Sequence, residues 1–178
     1  MNTKSKHERL VFLEFAEATK LSFDANTVEV CCPPEPDIRC LCAGQPNYFE
    51  LGRILDKHMQ KSRIKAIKNA PQMVWADTKR IGLAERDVLR AKLTKKYSVG
   101  CNPLDLILYF DAENALLAGG LPPIEFATHA KHVMQPLLTP MPDHIRRVWV
   151  FERYRKSVLW NYPPLESKAM SGSRGKSL

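Results

Sequence analysis

Two acidic residues stand where a small sheet would bring them together. Asp37 follows Pro36 directly at the start of one extended stretch, and Glu50 lies near the end of another, thirteen positions later. Ala43-Gly44 marks a turn between them, so a hairpin would carry both carboxylates to one sheet edge. A hard divalent cation takes oxygen ligands and keeps several waters. One aspartate, one glutamate and a nearby backbone carbonyl therefore suffice for an open site for Mg²⁺ or Mn²⁺, and such an ion lowers the pKa of a water that can attack phosphorus. The plainer roles are a turn aspartate after proline for Asp37 and a solvent-facing strand residue for Glu50.

A second set of residues could meet phosphate. Lys57, Lys61, Lys65 and Lys68 recur at steps of four, four and three, which stacks their ammonium groups along one face of a helix. Arg86 and Arg90 repeat the spacing further on. From residue 57 to 96 there are twelve basic residues against three acidic ones, Asp77, Glu85 and Asp87. A face kept only for solubility would mix signs, so contact with a polyanion is the favoured reading. Cys31, Cys32, Cys40 and Cys42 raise the question of zinc. Adjacent Cys31 and Cys32 face opposite sides of a strand, so packing thiols are the better account. His129 and His132, three apart on a helix, read as ordinary histidines.

These side chains need a scaffold, and the chain supplies one in alternating pieces. The apolar pattern predicts a helix over residues 7–21, broadly buried around its circumference, then strands over 27–32, 37–41 and 47–51. Helices are expected over 53–69 and 83–96, the latter with Lys92 to Lys96 suiting the negative end of its dipole. LDLILYF, residues 104–110, reads as a strand buried on both faces. A helix over 123–135 and strands over 146–152 and 157–161 complete the order. Trp149 and Trp160 fall in these strands as core residues. The expectation is one α/β domain over residues 1–164, a mixed central sheet flanked by helices, with 165–178 as a disordered tail.

Here the residues resemble the PD-(D/E)xK nuclease superfamily, whose members have a restriction-endonuclease-like fold. Pro36-Asp37 looks like its PD element and Phe49-Glu50-Leu51-Gly52 like its second acidic element. The helix beginning His7-Glu8-Arg9 resembles the acidic first helix of archaeal Holliday junction resolvases. The resemblance covers residues 8–54 best. It implies Asp37 and Glu50 as metal ligands, the Leu51 carbonyl completing the set, and Glu8 assisting through water, with Glu14 and Glu17 as rivals for that helix acid. The family's lysine, two positions after the second acid, is Gly52 here. Either Lys57 or Lys61 reaches back in its stead, or the chain is a catalytically silent module that binds nucleic acid or another protein. On this reading, Gly52→Lys is expected to increase a slow hydrolysis.

Composition makes a polyanionic partner plausible, nucleic acid or an acidic protein. The chain of 178 residues carries a net charge of +8, with 44% hydrophobic and 26% charged residues. No apolar run is long enough to cross a bilayer, and Glu8, Arg9, Glu14 and Glu17 interrupt any signal-peptide core. Five cysteines without an export signal favour a reduced, cytoplasmic setting. The expected partner is nucleic acid, DNA foremost, with no membrane. Cutting both strands together from single-site chains favours a homodimer.

Overall fold

A computed structural model describes residues 2–54, 83–98, 102–111 and 123–165. Helix α1, Thr3–Thr19, is capped by the Asn2 side chain, which accepts from the Ser5 amide at 2.8 Å. It ends with Lys20 in the left-handed region. Strands β1, Glu29–Val30, β2, Ile38–Cys42, and β3, Gln45–Arg53, follow. After them come α2, Leu83–Leu93, β4, Leu104–Phe110, and α3, Pro123–Val133, with β5, Ile145–Glu152, and β6, Ser157–Tyr162, at the end.

The six strands form one mixed sheet in sequential order. β1, β2 and β3 pair antiparallel, β3, β4 and β5 parallel, and β5 and β6 antiparallel. Parallel neighbours need a crossover, and α2 and α3 lie in the two required connections. Alternation along β4 then divides the core. Leu104, Leu106, Leu108 and Phe110 join Leu89 of α2 and Phe126 and Ala130 of α3. Ile107 and Tyr109 join Val11, Phe12, Phe15 and Ala16 of α1 on the other face. Both faces are covered, which is why every residue of β4 is buried. The fold is thus α/β, as the strand and helix alternation implies. Among the described residues, no helix is long and apolar enough to cross a membrane.

Several local expectations are corrected. The strand expected over 27–32 shrinks to Glu29–Val30, because Asp24 organises a 3-10 turn at Ala25–Thr27. Its side chain accepts from the Asn26 amide, and its carbonyl accepts from Thr27 Oγ1. Arg53 closes β3 and does not start a helix. Helix α1 buries one stripe, Glu8, Val11, Phe12, Phe15 and Ala16, while Leu10 remains 48% exposed. The helix expected over 83–96 stops at Leu93, and the chain after α3 tightens into a 3-10 turn at Gln135–Leu138. Cys40 and Cys42 share a face of β2, their sulfurs 3.9 Å apart. The helix expected from residue 53 lies outside the described residues from position 55 onward, as does the tail from 166.

Candidate functional site

The geometry begins at a two-residue turn. Ala43 and Gly44 both have positive φ, 50° and 75°, the conformation that joins twisted antiparallel strands most tightly, and Cys42 pairs with Gln45 across it. Counting back from this turn, Ile38 falls opposite Phe49. Asp37, one step earlier, therefore meets the strand at Glu50 and Leu51. Its Oδ2 accepts the Leu51 amide at 2.9 Å. The loop before Asp37 is tied down by the Ser98 amide donating to the Pro34 carbonyl, 3.0 Å.

Glu50 is wholly buried and points to the α2 side of the sheet, where two lysines meet one of its oxygens. Lys92 Nζ lies 2.5 Å and Lys95 Nζ 2.8 Å from Oε1. Oε2 is buried without a hydrogen-bond partner. Burial, and next the neighbouring charge of Glu50, hold the Asp37 carboxyl above its ordinary pKa; the Leu51 amide and Lys92 oppose this, and Glu8 adds to it. Burial likewise raises the Tyr97 phenol, reinforced by the charges of Glu50 and Asp37. Tyr97 donates to the Lys92 carbonyl at 3.2 Å and lies under the Lys95 ammonium, 4.7 Å from the ring centroid.

The three acids of α1 have different partners. Glu8 is buried, pairs with Lys4 at 3.2 Å, and acts on Asp37 through its charge. Glu14 instead binds Arg153, with 2.6 Å from Nε to Oε2, and Glu17 binds Lys156 at 3.0 Å. Of the three candidates, Glu8 belongs to the electrostatic unit of Asp37 and Glu50.

Gly52 is explained sterically. A Cβ there would lie 2.6 Å from Leu108 Cδ2, 3.2 Å from Val88 Cγ1 and 3.5 Å from Lys92 Cε. The Lys92 stem thus passes beside the place a side chain at 52 would occupy and delivers its ammonium to Glu50. The expectation that Gly52→Lys restores a missing group is therefore corrected, since the space is taken and a cation is already present. Lys57 and Lys61, the expected substitutes, lie outside the described residues, together with Lys65 and Lys68. Arg86 approaches Asp87 at 3.4 Å, and Arg90 is exposed on the last turn of α2.

Lys92, Lys95 and Tyr97 were not singled out by sequence reasoning. A signal for Lys92 existed: Glu85, Val88, Leu89 and Lys92 follow i, i+3, i+4, i+7, so this lysine sits on the inward stripe of α2. Trp149 Nε1 donates to Asp105 at 3.0 Å, and Trp160 stacks on Tyr162, so both tryptophans serve the sheet.

Among the described residues no group of three or more His, Cys, Asp or Glu side chains is arranged to hold a metal ion. The donors at hand are fewer: the free lone pairs of Glu50, the Asp37 carboxylate and the Leu51 backbone. That set fits Mg²⁺, which binds through one or two carboxylates and keeps its waters. It does not fit zinc. Comparison of the chain with protein-family models, curated proteins and solved structures finds no match.

Proposed function

We propose that the protein is a Mg²⁺-dependent phosphodiesterase acting on DNA, built on the PD-(D/E)xK nuclease plan. The observation that carries this reading is Glu50, wholly buried and set beside Asp37, with a lysine of α2 passing beside Gly52 to reach it. Asp37, Glu50 and the Leu51 carbonyl hold the ion, and Glu8 supports it from α1. When bound, the cation supplies a water of lowered pKa and offsets charge on the phosphate.

The protein's own groups do the rest. Lys92 directs its ammonium to the edge where phosphorus is attacked and stabilises the negative charge that grows on the non-bridging oxygens. Its Cε runs 3.5 Å from where a β-carbon at position 52 would sit, so the glycine leaves the stem a path to Glu50. Arg86, Arg90 and the lysines from Lys57 to Lys68 steer the DNA backbone. Two copies of the chain would serve two strands. Work in a reducing compartment accords with Cys31, Cys32, Cys40 and Cys42 all being free thiols.

The test is nicking of supercoiled plasmid in Mg²⁺ or EDTA by wild type, Glu50→Gln and Lys92→Met, with circular dichroism melts to establish folding. Cleavage by wild type in Mg²⁺ alone, lost in both variants, is expected, with Lys92→Met reduced at least about 100-fold as for other preorganised charge-stabilising groups. Inactive wild type that still binds DNA would return the chain to the silent-module reading.

A further inference from the structure

Two ammonium groups on one carboxylate oxygen are more than neutralisation of Glu50 requires, and they are held differently. Lys92 belongs to α2, its stem confined beside Gly52 and its side chain 23% exposed. Lys95 lies beyond the last helical residue, in a loop, and its side chain is 35% exposed. It also has a second resting place, the face of Tyr97, which attracts a cation whether or not Glu50 is engaged. Tyr97 is itself anchored through its hydroxyl to Lys92.

The wider layout shows the same economy of charge. Asp37 feels the charges of both Glu8 and Glu50, and Lys4, Lys92 and Lys95 answer these acids. A divalent cation entering among these acids meets a site whose negative charge is already balanced. At least one ammonium must then lose its attraction to Glu50. The exposed residue on the loop is the one able to leave without unpacking a helix.

We propose that Lys95 is a displaceable counter-ion. It occupies Glu50 while no divalent cation is bound, releases that oxygen when one enters, and then engages a phosphate of the DNA strand. This inference rests on the nuclease reading and assigns a role that Lys92 does not share. Lys95 ties metal binding to DNA binding, since one group cannot serve Glu50 and a phosphate equally well at once.

The experiment measures Mn²⁺ binding by electron paramagnetic resonance, with no DNA present, for wild type, Lys95→Met, Lys95→Arg and Asp37→Asn. Fluorescence anisotropy then follows a DNA duplex bound in Ca²⁺ over a salt series. Lys95→Met is expected to bind Mn²⁺ about tenfold more tightly, the value of one charge-assisted hydrogen bond no longer in competition. Its log-log salt slope for DNA should fall by about 0.9, one phosphate contact. Lys95→Arg should stay near wild type in both, and Asp37→Asn should lose Mn²⁺. Lys95→Gln replaces Lys95→Met should the latter fail to melt cooperatively. Saturable wild-type binding that Lys95→Met leaves unchanged or weakens overturns the counter-ion role alone. An unchanged DNA slope overturns the phosphate contact. Wild type with no saturable Mn²⁺ binding overturns the nuclease reading and this inference together.

Discussion

A β-carbon at position 52 would sit 2.6 Å from Leu108 Cδ2, a fully buried core atom, so the close-packed interior must give way before any side chain fits. Gly52→Ala is expected to destabilise by about 1–3 kcal/mol, the usual range for overpacking. Lys92 Cε would meet that β-carbon at 3.5 Å, an ordinary van der Waals contact, so nicking should persist when stability is restored by lower temperature. Gly52→Lys should destabilise more, and its longer side chain should crowd Lys92 and lower nicking; activity above wild type would show that a second cation is accommodated there. Asp37 has the opposite problem, being buried next to a like charge. Its folded pKa lies above the ordinary 3.8, so its contribution to stability is present below that value and lost as pH rises through the folded one. At neutral pH in EDTA, Asp37→Asn should therefore melt a few degrees higher, since about 1 kcal/mol moves a chain of this size by about 2–4 °C. In Mg²⁺ the order should reverse, because the wild type alone gains from the ion. Melting that is lower in EDTA would mean that Asp37 is a structural turn residue.

At the scale of elements, α1 is fastened by charge as well as by its apolar stripe. Arg153, at the start of the β5–β6 connection, reaches Glu14 of α1 and Asp111 after β4, each at 2.6 Å, and Asp111 also meets Arg53 at 2.6 Å. Arg153→Ala leaves Glu14 and a largely buried Asp111 short of a cation. A loss of about 2 kcal/mol is expected in urea unfolding, less than for a fully buried pair because Arg53 still serves Asp111. A change under about 0.5 kcal/mol would mark the network as no more than a surface ion pair. The elements themselves were legible where one physical signal dominated: LDLILYF could only be a strand covered on both faces, and Ala43-Gly44 could only turn. They were illegible where a side chain chose the turn, as Asp24 and Thr27 do before β1. The paired acids were legible for the same reason as the hairpin, since register follows from turn length. Lys92 and Lys95 were not, because their partner is 42 and 45 positions away and no spacing rule spans a crossover.

For the whole molecule, the excess charge has a direction in sequence even where the side chains act at a distance. The chain's net charge is +8, while residues 57–96 alone contribute more than that, so the remainder is nearly balanced. Within the described part many cations already have partners: Arg53 and Arg153 on Asp111, Arg146 on Asp105, Lys156 on Glu17 and Lys92 on Glu50. Such paired groups release few counterions when DNA arrives. Lys57, Lys61, Lys65 and Lys68 have only one acid, Asp56, within three positions in sequence, and on the nuclease reading they carry most of the sequence-independent affinity. Each neutralised phosphate contributes about 0.9 to the slope of log K against log salt on B-DNA. Replacing the four lysines together by alanine should therefore flatten the slope by about 3.6 units, measured by anisotropy in Ca²⁺. Replacing Arg146 and Lys156, whose charges are already answered, should change it by less than about one. The reverse ranking would move the DNA-binding face from the lysine row to the β5–β6 side of the sheet, and the role given to residues 57–68 would fall with it.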